Sequence, residues 1–217
     1  RKNILTSTST NAQLITSETA KEIVESGLDR LIISIDGATQ ETYEAYRVGG
    51  SLNKATEAVE NLTKWKKVLK SPSPFIEIQF LVLKTNEHQM NEMKQLARKL
   101  KADKLTFKSA QLADFENGNP LLPENKRYAR YERKPDGKYY IKNPLRNRCS
   151  RMWNGAVVTS RGDVLPCCFD KDSSHVFGNL KDKSFLECRN GTPAVKFGDS
   201  IRKNRRQFEM CRNCTEK

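Results

Sequence analysis

The first 148 positions of this 217-residue chain contain no cysteine, and all six cysteines lie at Cys149 or beyond. Any sulfur chemistry is therefore confined to the last third. Histidine is almost missing, with only His88 and His175, and two isolated imidazoles do not make a metal site. No stretch approaches the roughly eighteen consecutive apolar residues of a spanning helix. The opening residues from Arg1 to Asn11 also lack the apolar region of a secretory signal. No membrane partner is expected, and the cytoplasm is the expected address. Acidic residues are in deficit, 26 against 39 Lys and Arg, for a net charge of +13. That excess suits acidic partners without choosing among nucleic acid, anionic lipid and acidic peptide. Its densest stretches, Lys126 to Arg151 and Arg202 to Arg206, are expected to be solvated faces and loops, so nucleic acid is not the expected partner. Apolar residues at 36% and charged residues at 30% describe a soluble globular chain.

What is present begins with alternating strand and helix patterns. Asn3 to Thr8 predicts a strand, and Ser17 to Gly27 a helix with Ala20, Ile23 and Val24 on one face. Leu31 to Ile35 is a nearly continuous apolar run, as in a strand buried on both faces, ended by the Asp36-Gly37 turn. Thr39 and Ser51 are placed to cap helices running to Tyr46 and Leu69. Phe75 to Leu83 predicts the third strand. Asn86 and Gln89 look like a capping box for a helix through Leu100, and Lys104 to Lys108 is the fourth strand. The order βαβαβαβ implies an α/β fold with about four parallel strands and covering helices. Functional groups of such sheets gather at the carboxyl ends of the strands. The candidates there include Asn11, Ser34, Asp36 and Asn86, with Arg47 as a nearby cation. Gln79, a polar residue between Ile78 and Phe80, is a further candidate contact, since a polar group in mid-strand needs a partner.

The periodicity stops near Ala113. Residues 112–148 form a turn-rich connector between a first domain, residues 1–111, and a tail, residues 149–217. In the tail, Ala156 to Thr159 and Asp163 to Leu165 predict a hairpin that brings Cys149 close to Cys167. Cys211-Arg212-Asn213-Cys214 supplies a Cys-x2-Cys pair able to grip one centre from a single turn. In a reducing compartment such clusters read as metal or redox sites before disulfides. Cys149, Cys167, Cys211 and Cys214 thus suit either zinc or a 4Fe–4S cluster, and spacing does not separate the two. Cys168 is the alternative to Cys167, because neighbouring strand residues face opposite ways. Cys188 reads as a small buried residue.

Several segments of the tail together resemble the SPASM or twitch region of radical S-adenosylmethionine oxidoreductases. They are Trp153, Gly162-Asp163-Val164, Pro166-Cys167-Cys168-Phe169-Asp170, Gly178-Asn179-Leu180 and the final Cys-x2-Cys. Asn3 to Asn11, Ile33-Ser34-Ile35-Asp36-Gly37 and Tyr46-Arg47 resemble that family's third and fourth barrel strands. The resemblance implies a partial (β/α) barrel followed by a small cysteine-rich domain holding an auxiliary 4Fe–4S cluster, with zinc as the alternative occupant. It also implies a peptide or protein substrate, or in some relatives a small molecule. By position it sets Ser34 and Asp36 toward S-adenosylmethionine, with Arg47 as a carboxylate partner. The family's Cys-x3-Cys-x2-Cys loop is not in this sequence. The chain therefore reads as a C-terminal portion whose missing partner is the N-terminal part of the same enzyme, inactive alone. The competing reading is a basic zinc module that contacts nucleic acid or protein.

Overall fold

The computed structural model describes residues 4–112, 114–143 and 145–214. It divides into two compact units, Arg1–Lys138 and Tyr139–Lys217.

In the first unit β1 (Ser7–Thr10), β2 (Arg30–Ser34), β3 (Phe75–Val82) and β4 (Lys104–Ser109) form a sheet in the order β1-β2-β3-β4, every pair parallel. The connections are helical: α1 (Ser17–Glu25), then α2 (Gln40–Tyr46) and α3 (Leu52–Val68), then α4 (Met90–Lys99). Each of the first three starts where its sequence allows a side-chain cap, at Thr16, Thr39 and Ser51. The capping box expected at Asn86 and Gln89 does not form. A 3-10 turn, Glu87–Gln89, leads into α4, and Asn86 makes no side-chain cap. Its amide instead donates to the carbonyls of Asp36 and Leu81, both at 2.9 Å, while its Oδ1 accepts from the Leu83 N–H at 2.8 Å. Three backbone groups that the strand ends leave open outcompete one helix N–H. Asn3, where the first strand was expected to begin, lies outside the described residues, and β1 starts at Ser7.

Alternation along the strands sets the layers. Ile76, Ile78, Phe80 and Val82 of β3 join Leu31 and Ile33 of β2 in one core with Ala20 and Val24 of α1, Tyr43 of α2, Ala55, Ala58, Val59 and Leu62 of α3, and Met93 and Ala97 of α4. All four helices thus contribute to a single core, as in the wall of a (β/α) barrel. The alternate residues of β3 carry Glu77 and Gln79, in register with Ile32 and Ser34 of β2 and with Lys104 and Thr106 of β4. After β4 the chain runs through turns to β5 (Tyr131–Arg133) and a turn in which the Lys134 N–H donates to the Lys138 carbonyl at 2.8 Å.

The second unit opens with β6 (Tyr139–Ile141) and α5 (Ser150–Asn154). The expected hairpin is present as β7 (Val157–Val158) and β8 (Asp163–Leu165), paired antiparallel. A third strand that the sequence did not announce, β9 (Gly178–Asn179), pairs with β8. Then follow α6 (Phe185–Asn190), α7 (Thr192–Asn204), a 3-10 turn (Arg205–Gln207) and α8 (Glu209–Arg212). Ser184 and Glu187 form a capping box for α6. Among the described residues no helix is long and apolar enough to cross a membrane.

Candidate metal centre and sheet rim

At the carboxyl ends of the first unit's strands, Asp36 is buried and engaged on both oxygens. One accepts from the Leu81 N–H at 2.6 Å, and the other takes the Arg47 guanidinium at 2.6 Å. Burial pushes the Asp36 carboxyl above its ordinary value, and the Leu81 N–H and the Arg47 charge only partly offset that. Arg47 therefore pairs with Asp36, not with Glu41 or Glu44 of its own helix. The turn that carries Asp36 requires Gly37, where a β-carbon would meet the Tyr43 backbone nitrogen at 2.3 Å. Ser34 and Gln79 lie side by side in register at the end of β2 and on β3, each half-buried. Asn11 is exposed in the loop after β1, where its Oδ1 accepts from the Gln13 N–H at 3.2 Å. Gln13 in turn grips Ser51 through both main-chain groups, at 2.8 and 3.1 Å, and reaches the Tyr43 hydroxyl at 3.2 Å. Sequence reasoning missed this clamp, because a single glutamine in a turn carries no pattern.

In the second unit the four candidate thiols border one recess. Cys149 is the residue before α5, Cys167 follows β8, Cys211 sits in α8, and Cys214 lies just beyond it. All four line one recess together with Met152, Phe197 and Ile201. Burial raises the Cys167 thiol above its ordinary value and pushes Cys211 up to about 11. Without a metal these two thiols keep their protons at neutral pH, and binding would release them. Among the described residues no three His, Cys, Asp or Glu lie close enough to hold a single ion. The sulfurs border the recess without closing on one point. Four thiols around one recess is the donor set that a tetrathiolate centre requires, so the residues present fit such a group.

Residues 149–215 match the family model of the SPASM iron-sulfur cluster-binding domain. Among solved structures, native anSMEcpe with bound AdoMet and Kp18Cys peptide aligns with 97% of this chain and 66% of its own, at 18% identity and a TM-score of 0.63. Streptococcus suis SuiB aligns over 92% of this chain and 51% of its own, at 15% identity and a TM-score of 0.62. The same protein bound to precursor peptide SuiA aligns over 97% and 54%, at 14% identity and a TM-score of 0.60. Residues 149–215 thus carry a SPASM-type region, and the chain as a whole shares the fold of these structures. It spans about half to two thirds of the length of these structures. No curated protein matches it.

In the second unit the remaining two cysteines do not line the recess. Cys168 is exposed and takes a contact of 3.5 Å from the Arg151 guanidinium. Cys188 is fully buried in α6, against Gly178, where a β-carbon would meet its sulfur at 2.7 Å. One residue of the recess contradicts the sequence reading. Arg205, in a basic stretch expected to be solvated, is 1% exposed and borders the recess beside the four thiols. It continues the apolar face of α7: Ala194, Phe197 and Ile201 precede it at helical spacing. That spacing was the available signal, and the neighbouring Arg202 and Arg206 masked it. Asn147 holds this corner. Its Oδ1 accepts from the Arg205 N–H at 3.0 Å, and its amide donates to the Lys203 carbonyl at 2.8 Å.

Proposed function

We propose that Cys149, Cys167, Cys211 and Cys214 hold one auxiliary 4Fe–4S cluster in a radical SAM enzyme that modifies a peptide or protein. The observation that carries this reading is the convergence of thiols from three separate segments on one recess, inside a region that matches an iron-sulfur domain. In the same reading residues 1–111 are part of the barrel wall, 112–148 connect, and 149–217 form the cluster domain. Cys167, which borders the recess, is the ligand, and Cys168, which does not, is not. When bound, such a cluster supplies an electron-transfer centre and a local staple for the fold.

The first unit's contribution is positional. Ser34, Gln79 and Asn11 are set toward the S-adenosylmethionine region at the strand ends, and the Asp36–Arg47 pair fixes the turn behind Ser34. Two peptide-bound relatives support the substrate class: anSMEcpe with the Kp18Cys peptide and SuiB with its precursor peptide. This chain does not contain the Cys-x3-Cys-x2-Cys loop, so its own residues supply the auxiliary site and not the ligands of the radical-generating cluster.

Anaerobic reconstitution followed by iron, sulfide and zinc analysis tests the reading. It expects about four iron and four sulfide per chain. Bound zinc without sulfide, joined to salt-sensitive nucleic-acid binding, would replace it with the basic zinc module.

A further inference from the structure

Arg205 is the largest fully buried side chain in the molecule, among the described residues. Its guanidinium donates to the Cys214 sulfur at 3.1 Å and to the Arg148 carbonyl at 2.8 Å, and it lines the recess together with Cys211. One side chain thus touches a sulfur of the Cys-x2-Cys pair and the backbone next to Cys149. Burying a guanidinium is expensive unless opposite charge and hydrogen-bond acceptors surround it. Neutral thiols are weak acceptors, so a metal-free site compensates the cation poorly. Four thiolates around an iron-sulfur core leave the assembled centre anionic, and an added electron increases that charge. Cluster potentials respond to net charge, to hydrogen bonds on the sulfurs and to solvent exposure. A buried cation with an N–H on the Cys214 sulfur acts on the first two together.

We propose that Arg205 is the positioning and charge-compensating residue of the auxiliary cluster, holding Cys214 in place and keeping the cluster's reduction potential higher than it would be without the cation. This rests on the reading of the four cysteines as ligands. Arg205, Phe197 and Ile201, all buried, line the recess together with the four thiols.

The experiment compares the wild-type chain with Arg205→Lys and Arg205→Gln after anaerobic reconstitution. Iron and sulfide content are measured, followed by a potentiometric titration monitored by electron paramagnetic resonance. Lysine keeps the charge, while glutamine keeps a donor without it. The expected result is that all three load and the glutamine variant titrates at a clearly more negative potential, with the lysine variant nearer to wild type. Loading by the lysine variant but not the glutamine variant also supports the proposal, because charge alone then rescues assembly. A glutamine variant that loads fully and titrates with wild type overturns it, as does failure of both variants to load, which would make Arg205 a packing residue only. A wild-type chain that takes up no iron or sulfide would overturn the ligand reading itself and is distinguishable from either of those results.

Discussion

The two units solve the problem of stability differently. The first builds a sheet with strands of four to eight residues on a core drawn from β2, β3 and all four helices, with Leu105 and Phe107 of β4 packed against it. The second has strands of only two or three residues in its β7-β8-β9 sheet, and its smaller core includes Cys149, Cys188 and Cys211 among its buried members. A unit of about eighty residues seldom gains enough from apolar burial alone and usually needs a staple such as a metal. The first unit is therefore expected to stand on hydrophobic packing and the second on its inorganic centre.

The largest expected effect comes from removing a ligand. Cys149→Ala or Cys211→Ala should abolish iron and sulfide retention and unfold much of the second unit, because cluster binding and local folding are linked. Metal analysis after anaerobic desalting, with limited proteolysis, checks both parts. Phe80→Ala attacks the comparison from the other side. It should cost the first unit about 3–5 kcal/mol in urea unfolding while leaving iron content unchanged. A loss of iron there would mean that the two units do not stand separately. Asp36→Ala leaves the Leu81 N–H without its acceptor and should cost about 1–3 kcal/mol, again with no loss of iron.

The pH dependence sharpens the account of the first unit, because its two buried carboxylates pull in opposite directions. Burial raises the Glu77 carboxyl, but the Arg30 guanidinium and the Lys104 charge act against that, and its folded value lies below the ordinary 4.5. Its contribution is present above that ordinary value and fades as pH falls through the lower folded one. Asp36, raised above 3.8 by burial, acts with the opposite sign: it costs stability as pH climbs from 3.8 toward its folded value. Glu77→Gln should therefore reduce the acid sensitivity of the urea midpoint, and an unchanged acid profile would remove Glu77 from the account. The smallest effects belong to Cys168→Ser and Cys188→Ala, which should both leave iron content at the wild-type level. Equal loss at either would show that the ligand set is wrongly drawn.

The parts legible in the sequence were those with a local pattern. Thr39 and Ser51 marked helix starts that the structure keeps to the residue, and the apolar run of β2 and the strand of β3 lie within a residue of their expected limits. That Cys149, Cys167, Cys211 and Cys214 border one recess was also legible, since a short hairpin and a Cys-x2-Cys turn leave few ways to place them. What stayed hidden depended on partners distant along the chain. Asn86 was read as a helix cap because its use by Asp36, some fifty positions earlier, is invisible locally. Arg205 was read as a surface charge because Arg202 and Arg206 beside it masked its helical spacing from Phe197 and Ile201. The strand β9 is too short for any periodicity to show.

The most direct test of the central claim is hydrogen exchange on the whole chain, with and without the reconstituted cluster. The account predicts strong protection gained across residues 149–214 on loading and little change in the strands and helices of residues 17–109. Equal protection of residues 149–214 in the loaded and metal-free states would contradict it.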